Sequence, residues 1–210
     1  MQFTQEEVFF FNSMTKGRMP FEIVCKLPEQ KTSEEIVEET IQSCMQKGLI
    51  GEDRHLTKTG LVMLHSWEQY RNSRWHVKMN ELRIALLPNN KLIIAYPKDG
   101  GYDIQCLRSE LVMFALLKQS EYLRQGEEQP QRGKWRSISE EEWEQEIEEM
   151  EGAIPLFLYE NRKRIERKVY YWKKEQGYVF NMDRKRVREL SPRVMRKQIY
   201  RTLQGGESYE

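Results

Sequence analysis

Twice along this chain the spacing of apolar residues changes from helical to strand-like and back, and the second passage repeats the order of the first. In the first, Trp75, Val77 and Met79 alternate, residues 82–87 follow, Pro88-Asn89-Asn90 turn the chain, residues 92–96 return it, and Tyr102, Ile104 and Cys106 alternate after a turn at residues 97–101. Residues two apart share one face of a strand, so this alternation predicts an antiparallel meander with one buried side. In the second passage, residues 154–159, 164–173 and 178–181 alternate like three strands, with Glu160-Asn161-Arg162 as the turn corresponding to Pro88-Asn89-Asn90. Each passage is left through a helix. The first such helix spans residues 108–124, where Leu111, Val112, Phe114, Ala115, Leu116 and Leu117 make one side heavily buried. The second spans residues 191–203, with Val194, Ile199 and Leu203 apolar and Pro192 suited to its first turn. The repeat is one of structure, since identities are few. It predicts an α+β fold of two pseudo-twofold-related halves, each an antiparallel β-meander with helices, whose sheets pair to complete a shared core.

Three capping boxes mark helix starts: Thr4-Gln5-Glu6-Glu7, Thr32-Ser33-Glu34-Glu35 and Ser139-Glu140-Glu141-Glu142. In each, the hydroxyl takes up an orphan amide and the Glu three residues on reaches back to the cap. In the second of these helices Ile36, Val37, Thr40, Ile41, Cys44 and Met45 share a face and Gly48 ends the pattern. Lys16-Gly17-Arg18-Met19-Pro20 reads as a turn, and a further helix over residues 61–71 directs Leu61, Leu64 and Trp67 inward. Residues 125–137 carry Gly, Pro and charge without periodicity and read as a mobile connection. The expected organisation is a single α+β unit over residues 1–210, with a first half at 1–124, a linker at 125–137, a second half at 138–204 and a flexible tail at 205–210.

Composition narrows the classes of function. A hydrophobic content of 39% beside 32% charge is that of a folded globular chain, and no apolar run approaches the roughly 18 residues that span a bilayer. The start of the chain has no basic and apolar export signal, so a cytoplasmic protein without membrane insertion is expected. Cys25, Cys44 and Cys106 are odd in number, widely spaced and set among apolar neighbours, the pattern of reduced core residues. Charge is uneven: residues 152–210 hold 15 Lys and Arg against 7 Asp and Glu, and residues 1–151 hold 19 against 26.

The residue patterns that chemistry needs are not found. His55, His65 and His76 have no Cys, Asp or Glu at metal-ligand spacing. Gly100-Gly101 is a lone pair in a hairpin turn, not a phosphate-cradling loop. The acidic run from Glu140 to Glu149 has helical period and reads as a solvated helix face, and no local signature supports Cys44 as a nucleophile. A binding protein without metal, cofactor or enzymatic activity is expected.

Two features remain. Arg162-Lys163-Arg164-Ile165-Glu166-Arg167-Lys168-Val169-Tyr170-Tyr171-Trp172-Lys173-Lys174 interleaves basic and aromatic residues, as a nucleic-acid groove does, or as the exposed side of amphipathic strands does, or as a grip on an acidic partner. The front segment of helices with Leu56-Thr57-Lys58-Thr59-Gly60 imitates part of a winged-helix domain, but Glu34, Glu35, Glu38 and Glu39 stand where phosphate contacts would be wanted. A winged-helix-like nucleic-acid-binding regulator and a toxin-neutralising immunity protein stay open as alternatives.

The order Phe3-Thr4-Gln5-Glu6-Glu7, Met19-Pro20-Phe21, Thr32-Ser33-Glu34-Glu35, Lys47-Gly48-Leu49-Ile50, a small helix, then Leu82-Arg83-Ile84 in a meander before an apolar helix is similar to that of EspG-family chaperones of type VII (ESX) secretion. The resemblance covers nearly the whole chain as an order of elements. It implies a two-half α+β fold, no cofactor, and a cytoplasmic chaperone that holds the helical tips of secreted substrates, keeps them soluble and delivers them to a membrane ATPase. The Lys-, Glu- and Met-rich style resembles Firmicute relatives, which implies LXG-type or nuclease toxins as clients, with small Trp-Xaa-Gly helical partners and no nucleic acid. The family's client-contacting loop, between the second and third strands of the first half, falls by position on Pro97, Lys98, Asp99, Gly100 and Gly101. The last helix, with Arg193, Arg196, Lys197 and Tyr200, is the other expected contact region.

Overall fold

The computed structural model describes residues 1–15, 19–24, 31–126 and 132–205. In chain order the first half holds β1 (Gln2–Phe3), α1 (Gln5–Ser13), α2 (Ser33–Gln46), α3 (Lys58–Asn72), β2 (Trp75–Met79), β3 (Leu82–Leu86), β4 (Lys91–Lys98), β5 (Gly101–Arg108), α4 (Ser109–Gln119) and α5 (Glu121–Arg124). The second holds β6 (Arg136–Ser137), α6 (Glu140–Glu148), β7 (Gly152–Glu160), β8 (Lys163–Lys173), β9 (Gln176–Asn181), β10 (Arg186–Glu189) and α7 (Pro192–Leu203).

All ten strands join one sheet in the order β1-β5-β4-β3-β2-β7-β8-β9-β10-β6. The order reads alike from both ends: a two-residue edge strand, then a four-stranded meander run backwards to the middle. The halves meet where β2 and β7 pair antiparallel with Val77 opposite Leu158, which places the pseudo-twofold axis there. The α+β fold of two related halves is therefore present.

The first meander has the four strands its alternation marks, and the second has four as well, not three. β10 escapes the alternation argument because it buries only Val187 of its four residues, and β1 and β6 are too short to have a period. With four strands the turns correspond differently. Asn161-Arg162 matches Asn80-Glu81, and Pro88-Asn89-Asn90 matches the Lys174-Glu175 turn between β8 and β9. Both residues of the Asn89-Asn90, Asn161-Arg162 and Lys174-Glu175 pairs have left-handed φ, as a two-residue hairpin turn that follows the strand twist requires.

One core runs through both halves on a single face of the sheet. Val77, Ile84, Leu92, Leu156, Tyr170 and Val179 meet Val112, Met113 and Leu116 of α4, Leu123 of α5 and Met195, Ile199 and Leu203 of α7. The opposite face is covered by α1, α2 and α3 over the first half and by α6 over the second.

Several helical expectations shift. α3 begins earlier, at Lys58, because the Thr57 hydroxyl accepts from Gly60 N at 3.1 Å. Gly60 lies flat on the Leu49 carbonyl, so Gly60, Trp67 and Tyr70 face inward and Leu61 is 54% exposed. In α2 Ile36, Thr40 and Cys44 are buried and Val37 is exposed. The helix expected over residues 108–124 breaks at Ser120, whose hydroxyl accepts from Leu123 N and starts α5. Its buried side is Val112, Met113 and Leu116, while Leu111, Phe114 and Ala115 face out. Cys44 is buried, but Cys106 is exposed because it lies on β5 beyond the cover of α1 to α3; Cys25 and the Lys16-Gly17-Arg18 turn lie outside the described residues. So do residues 127–131 of the expected linker and 206–210 of the tail. The acidic run is not wholly solvated: Glu146 is buried, accepting from Tyr171 Oη at 2.9 Å and pairing with Lys173 at 2.9 Å and Arg136 at 3.1 Å.

Candidate functional site

The surface that lacks an intramolecular reason for its composition is the outer side of α4. A helix apolar all round is normally buried all round. Yet Leu111 and Phe114 are 54% and 55% exposed, and with Ala115 they form a stripe at the i, i+3, i+4 spacing that shares one face. Lys118 Nζ lies 4.8 Å from the Phe114 ring centroid, so the stripe ends in a cation.

Beside it α7 is amphipathic, with Val194, Met195, Ile199 and Leu203 in the shared core. Of the four residues expected to meet a partner, Arg193 and Lys197 face solvent. Arg196 turns inward and donates from Nη1 to the carbonyls of Leu123 and Gln125, the second at 2.8 Å, which satisfies the end of α5. Tyr200 Oη donates to Glu110 Oε1 at 2.9 Å and so joins α7 to the first turn of α4. The Glu110 backbone amide and that hydroxyl hold the carboxyl below its usual range, and the carboxylate in turn pushes the Tyr200 hydroxyl up. The joint is thus a charge-assisted bond at neutral pH.

The other expected region, at residues 97–101, is the tip of the β4–β5 hairpin. Because β2 is the first strand of the meander, this is the loop between its third and fourth strands. Asp99 and Gly100 take left-handed φ of 48° and 77°. Gln5 Nε2 donates to Gly100 O at 3.0 Å and Gln2 Nε2 to Asp99 Oδ2 at 3.3 Å, so the start of the chain braces the tip. Pro97, Lys98, Asp99 and Gly100 are exposed around an open depression of about 290 Å³. Gly101 is buried under β1, where an added Cβ would stand 2.0 Å from Phe3 O. The length of β5, about 23 Å at 3.3 Å per residue, separates this tip from the start of α4. Among the described residues no hydrogen bond or shared cavity joins the tip to Arg193, Arg196, Lys197 and Tyr200.

Groups that resemble catalytic ones have structural surroundings. His76 is buried among Phe21 and Tyr70, donates from Nε2 to Tyr70 O at 2.9 Å, and is pushed down to about 4 chiefly by burial. The Cys44 thiol is pushed up to about 12, chiefly by burial, which keeps it protonated and unreactive. Among the described residues no three His, Cys, Asp or Glu groups gather as metal ligands, and no helix is long and apolar enough to cross a membrane.

Sequence reasoning missed the solvent-facing stripe of α4 because an apolar run of that length reads as buried. It also missed a second apolar groove, about 120 Å³, between α1 and α2, where Phe9 and Val37 are 40% and 46% exposed.

With this geometry in hand, a model of the family described as "Domain of unknown function (DUF5081)" matches residues 1–205. The chain belongs to that family. No curated protein matches the DUF5081 chain. Among solved structures it is similar to the Mycobacterium tuberculosis type VII secretion system chaperone EspG5, determined in complex with a PE25–PPE41 dimer. The TM-score is 0.58 at 6% identity, over 95% of this chain and 94% of that one. At that identity the likeness shows a shared fold, an α+β chain built on one long antiparallel sheet.

Proposed function

We propose that this DUF5081 chain is a chaperone or adaptor, not an enzyme, that receives a helical segment of another protein on the outer surface of α4 and α7. The observation that carries the reading is the exposed Leu111–Phe114–Ala115 stripe on a helix whose other side is already buried. A helical client with an apolar tip gains affinity by covering such a stripe, and the cations of Lys118, Arg193 and Lys197 supply a polar rim. The fold shared with EspG5, whose structure holds a PE25–PPE41 dimer, supports a chaperone role at that coarse level. The finer reading places the client among type VII substrates, of the LXG or nuclease-toxin kind with small Trp-Xaa-Gly partners, held soluble in the cytoplasm before export. In it residues 1–205 act as one unit, and the hairpin tip at Pro97, Lys98, Asp99 and Gly100 bounds the client at a distance from the main contact.

The test is capture of partners from the native host with the tagged chain and with its Leu111→Asp/Phe114→Asp variant. Loss of two central apolar anchors costs about 2–4 kcal/mol of binding, so recovery of a helical secreted substrate is expected to fall by more than about tenfold while thermal melting is unchanged. Equal recovery by both proteins, or a nucleic-acid-rich eluate from either, overturns the proposal.

A further inference from the structure

The basic, aromatic run of β8 is not part of the α4–α7 surface. Its core-side residues line a separate cleft of about 380 Å³ on the far flank of α7. Gln198, Arg201 and Thr202 of α7 form one wall, and Lys168, Tyr170 and Arg188 of the sheet form the floor. Arg184 in the β9–β10 turn and Arg132 and Trp135 ahead of β6 close the rim. Among the described residues the lining carries five cations, Arg132, Lys168, Arg184, Arg188 and Arg201, against two carboxylates. Both carboxylates are engaged already: Glu166 lies 2.6 Å from Lys168 Nζ, and Asp183 accepts from Arg167 N at 2.9 Å and Arg167 Nε at 2.7 Å. The Arg188 guanidinium stacks 4.4 Å from the Trp135 ring centroid, which fixes its plane.

We propose that this cleft binds an acidic segment of the partner protein, one carrying two or three carboxylates beside an apolar or aromatic side chain. The planar forks of arginine match carboxylates two bonds at a time, and Ile165, 49% exposed at the cleft, meets the apolar neighbour. Nucleic acid is a poorer fit, because residues 1–151 carry 26 acidic against 19 basic groups and repel a long polyanion, whereas a short segment meets only the local excess. This inference rests on the proposed client binding, since α7 has α4 on one flank and the cleft on the other, so that a single client reaches both.

The test uses the full-length protein and two labelled peptides, a Glu- and Asp-rich one containing a Trp and its Gln/Asn counterpart, titrated by fluorescence anisotropy at low and high salt. The acidic peptide is expected to bind about tenfold or more tighter than the amide one, with a loss at high salt. Arg184→Gln/Arg201→Gln, both exposed in the folded chain, is expected to remove that preference while far-ultraviolet circular dichroism shows the chain folded. Equal binding of the two peptides, an unchanged double variant, or pyrophosphate displacing the peptide at far lower concentration overturns the assignment, the last by marking a small-phosphate site. Leu111→Asp/Phe114→Asp serves as the control: it leaves acidic-peptide binding intact, so failure of the cleft and failure of the client-binding surface are told apart.

Discussion

Among the described residues, the sheet face away from the shared core lies under three helices in the first half and under α6 alone in the second. The same backbone plan therefore carries different degrees of closure. Each half buries one paired carboxylate: Glu7 accepts from Thr4 N at 2.8 Å and from Ser43 Oγ at 2.7 Å and pairs with Lys47, tying α1 to α2, as Glu146 with Lys173 and Arg136 ties α6 to the sheet of the second half. The second half differs in that it also keeps Arg184, Lys185, Arg186 and Arg201 at its surface. Pseudo-symmetry is enforced by strand pairing, which only the backbone sees. Side chains are free to make one half a closed support and the other an open, cationic one.

The shared core is where the comparison breaks most readily. Leu156 is fully buried on β7 at the seam, and Leu156→Ala is expected to cost about 3–4 kcal/mol from lost burial and the cavity left behind. Urea unfolding followed by both far- and near-ultraviolet circular dichroism should show one transition shifted as a whole; two separated transitions would mean that the halves stand independently.

Acid should weaken the first half, since all three histidines lie there and His76 is the buried one. Its folded pKa is depressed to about 4 by burial, opposed by the bond to Tyr70 O and aided by the nearby Arg162 charge. As pH falls below about 6.5 the unfolded chain takes up a proton that the folded chain refuses, so stability declines between about 6.5 and about 4. The full loss is about 3 kcal/mol. Urea midpoints across that range should drop for the natural chain and flatten for His76→Gln; parallel slopes would remove His76 from the account.

A smaller effect separates the two edge strands. Gly101→Ala drives a Cβ to within 2.0 Å of Phe3 O and should detach β1 at a cost of about 2 kcal/mol. Gly133→Ala beside β10 stands 2.9 Å from Glu189 Cβ and 3.4 Å from Glu189 N, a milder approach that should cost about 1 kcal/mol. Hydrogen exchange at Ile104, whose amide bonds to Met1 O at 3.0 Å, reports the first directly. Equal costs at the two glycines would mean that both edges are equally tight.

Local signals determined local structure. The capping boxes at Thr4, Thr32 and Ser139 stand where the sequence puts them, because each is satisfied within four residues and needs no distant partner. The strands of the two meanders with a readable period were placed within a few residues, and their repetition pointed to a two-half α+β fold. The sequence did not determine what depends on neighbours far along the chain. β10 has a single inward residue, Cys106 lies on a strand that outruns its helical cover, and the apolar run of α4 faces the core on one side and solvent on the other. The candidate contact residues divided for the same reason. Arg196 and Tyr200 carry the composition of a binding surface, yet carbonyls and a carboxylate from α4 and α5 claim them, while Leu111 and Phe114 look like core and stand outside it. Only tertiary packing decides which side of a helix meets the sheet, because burial is a property of the assembled layers and not of the residue's own hydrophobicity.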